Sequence, residues 1–204
     1  MELIVVDGAS TDGTPDYLQH LNCRHRLTWI SEPDRGIYDA MNKGVRMAQG
    51  RYCIFMNAAD RFAAPDVLSR VAAMGMDADV VYGDIMKDGR LKPALTPRNS
   101  HRMYYCHQAA FTLRTLLIHY PFDISHPLSA DFKQAKQLYL ANHTFRHIDI
   151  AIADFDTNGI SNTRRSAGLK DNISVVNEVD TLPWRLRLLP RLWFTYLSCL
   201  LRGK

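Results

Sequence analysis

The 204-residue chain lacks the features that would place it in a specialised class. Its four cysteines, Cys23, Cys53, Cys106 and Cys199, form no Cys-x-x-Cys pair and have no metal-ligand spacing. That argues against a disulfide scaffold or a zinc module and points to reduced structural thiols in a cytoplasmic protein. No uncharged apolar run approaches the ~20 residues of a membrane-spanning helix. Met1-Glu2 leads straight into Leu3-Ile4-Val5-Val6 with no basic segment before it, so no secretory leader is expected. The body also lacks charge of one sign. The last 24 residues hold Arg185, Arg187, Arg191, Arg202 and Lys204 and no acid, whereas the first 180 hold 20 basic and 21 acidic residues. A nucleic-acid binder needs a basic face across the domain, so nucleic acid is not an expected partner.

What is present is ordinary for a folded chain: 47% apolar and 23% charged residues, enough for one domain with a sizeable core and too apolar for disorder. Leu3 to Val6 reads as a buried strand closed by Asp7-Gly8. A short helix is expected around Asp16 to Leu21, with Thr14 as its cap and Pro15 in its first turn. Leu27 to Ile30 reads as a second strand. Ile37, Met41, Val45 and Ala48 then fall at helical spacing, with Gly50 as the stop. Tyr52 to Met56 is a third strand, Pro65 to Met74 a helix and Asp79 to Tyr82 a strand. Met86 to Lys92 is a hairpin with Asp88-Gly89 at its tip. This alternation predicts an α/β fold with a mainly parallel sheet. Further on, a strand near Gln108 to Leu113, a helix from Asp131 to Ala141 and a strand near Thr144 to Ile150 are expected.

Polar residues cluster where these strands end, the place where open α/β sheets bind ligands. One candidate motif, Asp12-Gly13-Thr14, partly fits a phosphatase-type Asp-x-Asp-Gly-Thr sequence, but Ser10 stands at the nucleophile position and the attacking carboxylate is missing. A fuller match runs from Val5-Val6-Asp7-Gly8-Ala9-Ser10-Thr11-Asp12-Gly13-Thr14 through Glu32-Pro33-Asp34-Arg35-Gly36-Ile37-Tyr38-Asp39-Ala40-Met41-Asn42-Lys43-Gly44 to Asn57-Ala58-Ala59-Asp60. In order and spacing these segments resemble the family 2 glycosyltransferases of GT-A fold, especially bacterial enzymes of the colanic-acid and exopolysaccharide type. The resemblance covers about residues 2 to 165.

The resemblance implies roles residue by residue. Asp7 would contact the nucleotide of the donor, and Asp34 would bind the donor. Asn57 and Asp60 stand where most of the family has Asp-x-Asp, beside a diphosphate bridged by Mg2+ or Mn2+, a hard cation that prefers oxygen ligands. Asp60 is the expected metal carboxylate. His107-Gln108 matches a His-Gln pair before a strand lining the site and would hold donor or acceptor oxygens. Asp131, in Ser129-Ala130-Asp131-Phe132, matches the base that takes the acceptor hydroxyl's proton. Each has a plainer reading: Asn57 and Asp60 as loop caps, His107 as a structural side chain, Asp131 as a helix N-terminal acid favoured by the dipole. Asn158-Gly159-Ile160-Ser161 with Arg164 and Arg165 resembles the family's loop after the last core strand, where arginines meet diphosphate oxygens or form a solvated turn.

Residues 1–165 thus read as a glycosyltransferase domain and residues 166–204 as a basic, amphipathic helical extension. Pro190 is expected to divide the tail segment 182–204, which suits either a helix lying on the membrane surface, facing anionic lipid, or a helix packed on the domain. Family members usually carry another strand and helix upstream of the segment matching Leu3 to Val6, so the fold is expected to be incomplete at its N-terminus. Two functions follow as expectations. One is an inverting transfer of sugar from a nucleotide-sugar donor to a saccharide or lipid-linked saccharide, at the cytoplasmic side of the membrane. The other is a truncated, non-catalytic relative with a binding role or none.

Overall fold

A computed structural model describes residues 1–22, 25–155 and 164–202. Strand β1 (Glu2–Asp7) pairs in parallel with β2 (Arg26–Ser31) across helix α1 (Thr14–His20), with Val5 opposite Trp29. The cap of α1 is Gly13, in the left-handed region at φ 87°, rather than Thr14. Asp12 Oδ1 accepts both the N–H and the hydroxyl of Thr14 and closes the turn from the side. Helix α2 (Ile37–Met47) buries Tyr38, Met41 and Val45, as its spacing demands, while Ile37 turns outward.

The second sheet has the order β3 (Tyr52–Cys53), β7 (Ala110–Leu113), β5 (Val80–Lys87), β8 (Phe145–Phe155), β4 (Arg61–Phe62), with β6 (Arg90–Lys92) on β5. It is mixed rather than mainly parallel. Only β5–β8 runs parallel among its described pairs; β3–β7, β5–β7, β4–β8 and β5–β6 are antiparallel. The early strands take their neighbours from residues 110–155, so alternation with helices in the first ninety residues did not fix strand direction. The β5–β6 hairpin turns at Asp88 and Gly89, both at positive φ, as a type I′ turn requires. At Gly83 the β5–β8 register slips, and a Cβ there would sit 2.7 Å from the Ile150 carbonyl oxygen; the close approach requires glycine.

Strand β3 ends at Cys53, three residues short of expectation, although Ile54, Phe55 and Met56 still pack into the core. Among the described residues β1 pairs only with β2 and β3 only with β7, so the sheet is interrupted between them. Side-chain contacts span the break. Glu2 Oε1 accepts the N–H groups of Gln49 and Gly50, both at 2.7 Å, and α2 packs its buried face on Phe122, Leu117 of α4 (Arg114–His119) and Ala130.

Helix α3 (Val67–Met74) covers one face of the large sheet through Val67 and Val71, against Val81, Ile148 and Ile152. Helix α5 (Ala130–Leu140) covers the other, with Ala135 and Leu138 against Val80 and Tyr82. Phe132 of α5 in turn receives Ile173 and Val176 of α6 (Arg165–Val179) and Leu188 and Leu192 of α7 (Leu182–Leu201). The tail therefore packs on the domain by one face. Pro190 does not divide it: α7 runs through the proline as one helix, at the loss of one backbone donor. Its opposite face leaves Leu186, Trp193, Phe194, Leu197 and Leu201 exposed. No described helix is long and apolar enough to cross a membrane.

Candidate active site

Asp7 ends β1 and is nearly buried, its Oδ2 accepting the Ser10 N–H at 3.0 Å and the Ser31 hydroxyl at 2.6 Å. These bonds, Ser10's first, hold its carboxyl below the usual range. Asp34 lies over the same loop. Its Oδ1 accepts the Gly36 N–H at 2.8 Å, and its Oδ2 would be 2.7 Å from a Cβ on Gly8. A side chain on Gly8 would displace Asp34, so the glycine lets the Asp34 carboxylate lie against the loop that follows β1.

The remaining candidates meet at the large sheet. The 3-10 turn His107–Ala109 leads into β7 and aims two side chains at the segment after β3. Gln108, 2% exposed, donates from Nε2 to Asp60 Oδ2 at 2.9 Å. The same carboxylate oxygen accepts the Asn57 N–H at 3.3 Å, and Asp60 N–H returns to the Asn57 carbonyl at 3.1 Å. Asn57 and Asp60 thus do cap their turn, and they also face the site. Beside them Cys106, its thiol 2.7 Å from Gln108 Oε1, is pushed up to about 12 by burial.

His107 connects this segment to α5. Asn57 Nδ2 lies 3.1 Å from Nε2, and Asp131 Oδ2 lies 3.1 Å from Nδ1. A carboxylate only accepts and the amide nitrogen only donates. The arrangement therefore fits a neutral imidazole with its proton on Nδ1, donating to Asp131, and Nε2 accepting from Asn57. Asp131 Oδ1 accepts the Tyr38 hydroxyl and its neighbour Phe132's N–H, each at 2.8 Å. Burial raises the Asp131 carboxyl, but the bonds from His107, Tyr38 and Phe132 outweigh it and the net direction is down. Burial and then the Asp131 charge push the Tyr38 phenol in the opposite direction, so it stays a donor. A cavity of about 10 Å³, room for about one water, lies among Phe55, Met103, His107, Phe122 and Asp131.

Tyr38 is the residue that sequence reasoning missed. It lay inside the Gly36-Ile37-Tyr38-Asp39 motif, but its bond to Asp131 crosses 93 positions. Asn158 to Ser161 lie outside the described residues. Arg164 and Arg165 open α6 and are exposed.

A second carboxylate–histidine group, Asp123, His126 and Glu178, has potential ligand atoms within 4.8 Å of one another. The Lys133 ammonium already bridges Asp123 and Glu178, and His126 is bonded through both ring nitrogens. Lysine supplies the cation there. By contrast, the donor set at Asn57 and Asp60 is a carboxylate with an amide oxygen, hard ligands that fit Mg2+ or Mn2+.

The family model for glycosyl transferase family 2 matches residues 1–130. A PGL/p-HBAD biosynthesis glycosyltransferase of Mycobacterium bovis is 33% identical over 180 residues, covering 79% of this chain and 68% of that protein. Among solved structures, a mannosyltransferase of Pyrobaculum calidifontis in complex with GDP-Man and Mn2+ matches with a TM-score of 0.66 at 18% identity, covering 87% of this chain and 54% of the other. TarS 1-349 of S. aureus in complex with UDP-GlcNAc matches at 0.62 with 19% identity, covering 88% and 58%. The chain therefore spans less than two thirds of either structural neighbour, and at these identities the likeness shows the fold: mixed α/β, of the GT-A kind.

Proposed function

Because the chain belongs to glycosyl transferase family 2, we propose that it moves a sugar from a nucleotide-sugar donor to a hydroxyl of a saccharide or lipid-linked saccharide, with inversion, in bacterial exopolysaccharide or cell-surface polysaccharide synthesis. The observation that carries this reading is the hydrogen-bonded chain Asn57, His107, Asp131, Tyr38 beside Asp60 and Gln108. Asp131, held ionised at neutral pH, takes the acceptor proton. His107 and Tyr38 fix its carboxylate plane, and Asp7 and Asp34 hold the nucleotide. A divalent cation held by Asp60 with the Asn57 amide oxygen would offset charge growing on the leaving diphosphate.

In this reading residues 1–165 form the transferase domain and residues 166–204 its extension. The protein works on the cytoplasmic side, meeting the membrane surface through the outer face of α7, where Trp193, Phe194 and Leu197 stand exposed on a helix with arginines and no acid.

The test is nucleotide release from UDP- and GDP-sugars with Mn2+ present. Asp131→Asn is expected to slow it roughly 10²–10⁴-fold, the usual worth of a positioned base. An unchanged rate would remove Asp131 from the chemistry, and no release from the unaltered chain with any donor would favour the non-catalytic alternative.

A further inference from the structure

A groove of about 370 Å³ lies between the loop at residues 101–103, the first turns of α6 and the middle of α7. Its lining is divided. His101, Arg102 and Arg165 supply cationic or protonatable groups, Asn172 and Thr195 neutral polar ones, and Met103, Leu169 and Leu192 an apolar floor. No acid lines it. Arg102 and Arg165 have no ion-pair partner among the described residues, and neither do Arg98 and Arg191, whose charges also act on His101. Burial first, and then Arg102, Arg191, Arg98 and Lys136, disfavour the charged form of His101. The nearby acid Asp180 is fully buried and already engaged by Lys136 and Asn99.

Cationic groups from separate elements therefore converge on one concave surface, with no anion among the described residues to balance them. Arginine forks match phosphate oxygens in geometry as well as charge. The apolar floor asks for something more than a free ion, and the volume falls within the range of small-ligand sites.

We propose that this groove binds the phosphate group of an amphiphile, with Arg102 and Arg165 on the phosphate oxygens and the apolar chain over Met103, Leu169 and Leu192. Met103 also lines the small cavity at Asp131, so the groove adjoins the site described above. Neither sugar transfer nor a donor is needed for this binding, and its test stands apart from the proposed function.

Titration calorimetry of the full chain without sugar donor provides that test. The probes are dihexanoyl phosphatidic acid below its micellar concentration and inorganic phosphate. The amphiphile is expected to bind at least about ten-fold more tightly than inorganic phosphate, since only it covers the apolar floor. The double variant Arg102→Gln, Arg165→Gln should lose about ten-fold or more in affinity, because charged hydrogen bonds are removed. Both arginines are exposed, so the variant is expected to fold, and far-ultraviolet circular dichroism checks that it does. Arg70→Gln, an exposed site on α3, should bind as the unaltered chain does. Equal affinity for the two probes, an unaffected double variant, or an equal loss in Arg70→Gln would each overturn the proposal.

Discussion

Among the described residues His107, His126, His143 and His147 are each bonded to an aspartate, and the second ring partners of the first two make those two different objects. His107 lies between Asp131 and the amide of Asn57, at 3.1 Å from each. His126 lies between two carboxylates, Asp171 at 2.7 Å and Glu178 at 2.9 Å. An amide donor leaves a neutral ring satisfied; a second carboxylate is satisfied only by an imidazolium. The first arrangement keeps charge on Asp131 alone, beside a cavity. The second is closed by Lys133 and Asp123 into a network that ties the approach to α5 onto α6. In the proposed function one aspartate–histidine pair serves chemistry while the other holds helices together, and the difference is set by a single neighbouring side chain.

The sharpest break of this comparison exchanges readouts. Asp131→Asn should lose roughly 10²–10⁴-fold in turnover per folded molecule, with some loss of stability as the bonds from His107 and Tyr38 weaken. Asp171→Asn should cost stability alone. It weakens the bonds to His126 and to the Leu128 N–H, lowering unfolding free energy by about 2–3 kcal/mol in urea titrations, with turnover per folded molecule retained. A stable but inactive Asp171→Asn would place the second pair in the site and end the distinction.

A smaller effect is expected from converting one type into the other. Asn57→Asp gives His107 a second carboxylate and makes it resemble His126. Long-range nitrogen–proton spectra should then show a doubly protonated ring at neutral pH, where the unaltered chain shows a proton on Nδ1 only. Turnover should fall roughly ten-fold as Asp131, facing a cation, becomes a weaker base. A ring unchanged in Asn57→Asp would mean that the amide does not set its tautomer.

The side chains of this hydrogen-bonded group, Tyr38 apart, were picked out in the sequence by the family resemblance, whose motifs are short segments at strand ends. Asp7, Asn57, Asp60, His107 and Gln108 each stand where an apolar run stops or begins, and α2 and α5 fell close to their expected bounds. The hairpin at Asp88-Gly89 was legible from turn chemistry alone. Strand direction was not, because a period of two reports which face is buried and not which strand lies alongside. Tyr38 and the His126 network escaped for a related reason. Their partners lie 93, 45 and 52 positions away, and no local pattern records a contact made only when helices pack. Pro190 misled in the other direction, since packing of Leu188 and Leu192 on α5 and α6 holds the helix through it.

The mildest way to sharpen the contrast is pH. Burial lowers the affinity of His126 for its second proton, but the bonds to Glu178 and Asp171 prevail, and its folded pKa lies above the ordinary 6.5. A raised folded value means that the folded state binds the proton more tightly than the unfolded one. The stability from this network is then complete below about pH 6.5 and is lost as pH rises through the folded value, with a slope of at most about 1.4 kcal/mol per pH unit. His126→Asn should remove that slope, so the difference in urea midpoint between the two proteins should narrow as pH rises above 6.5. A difference that stays constant with pH would show that His126 acts as a neutral spacer, and the two histidines would then be of one kind.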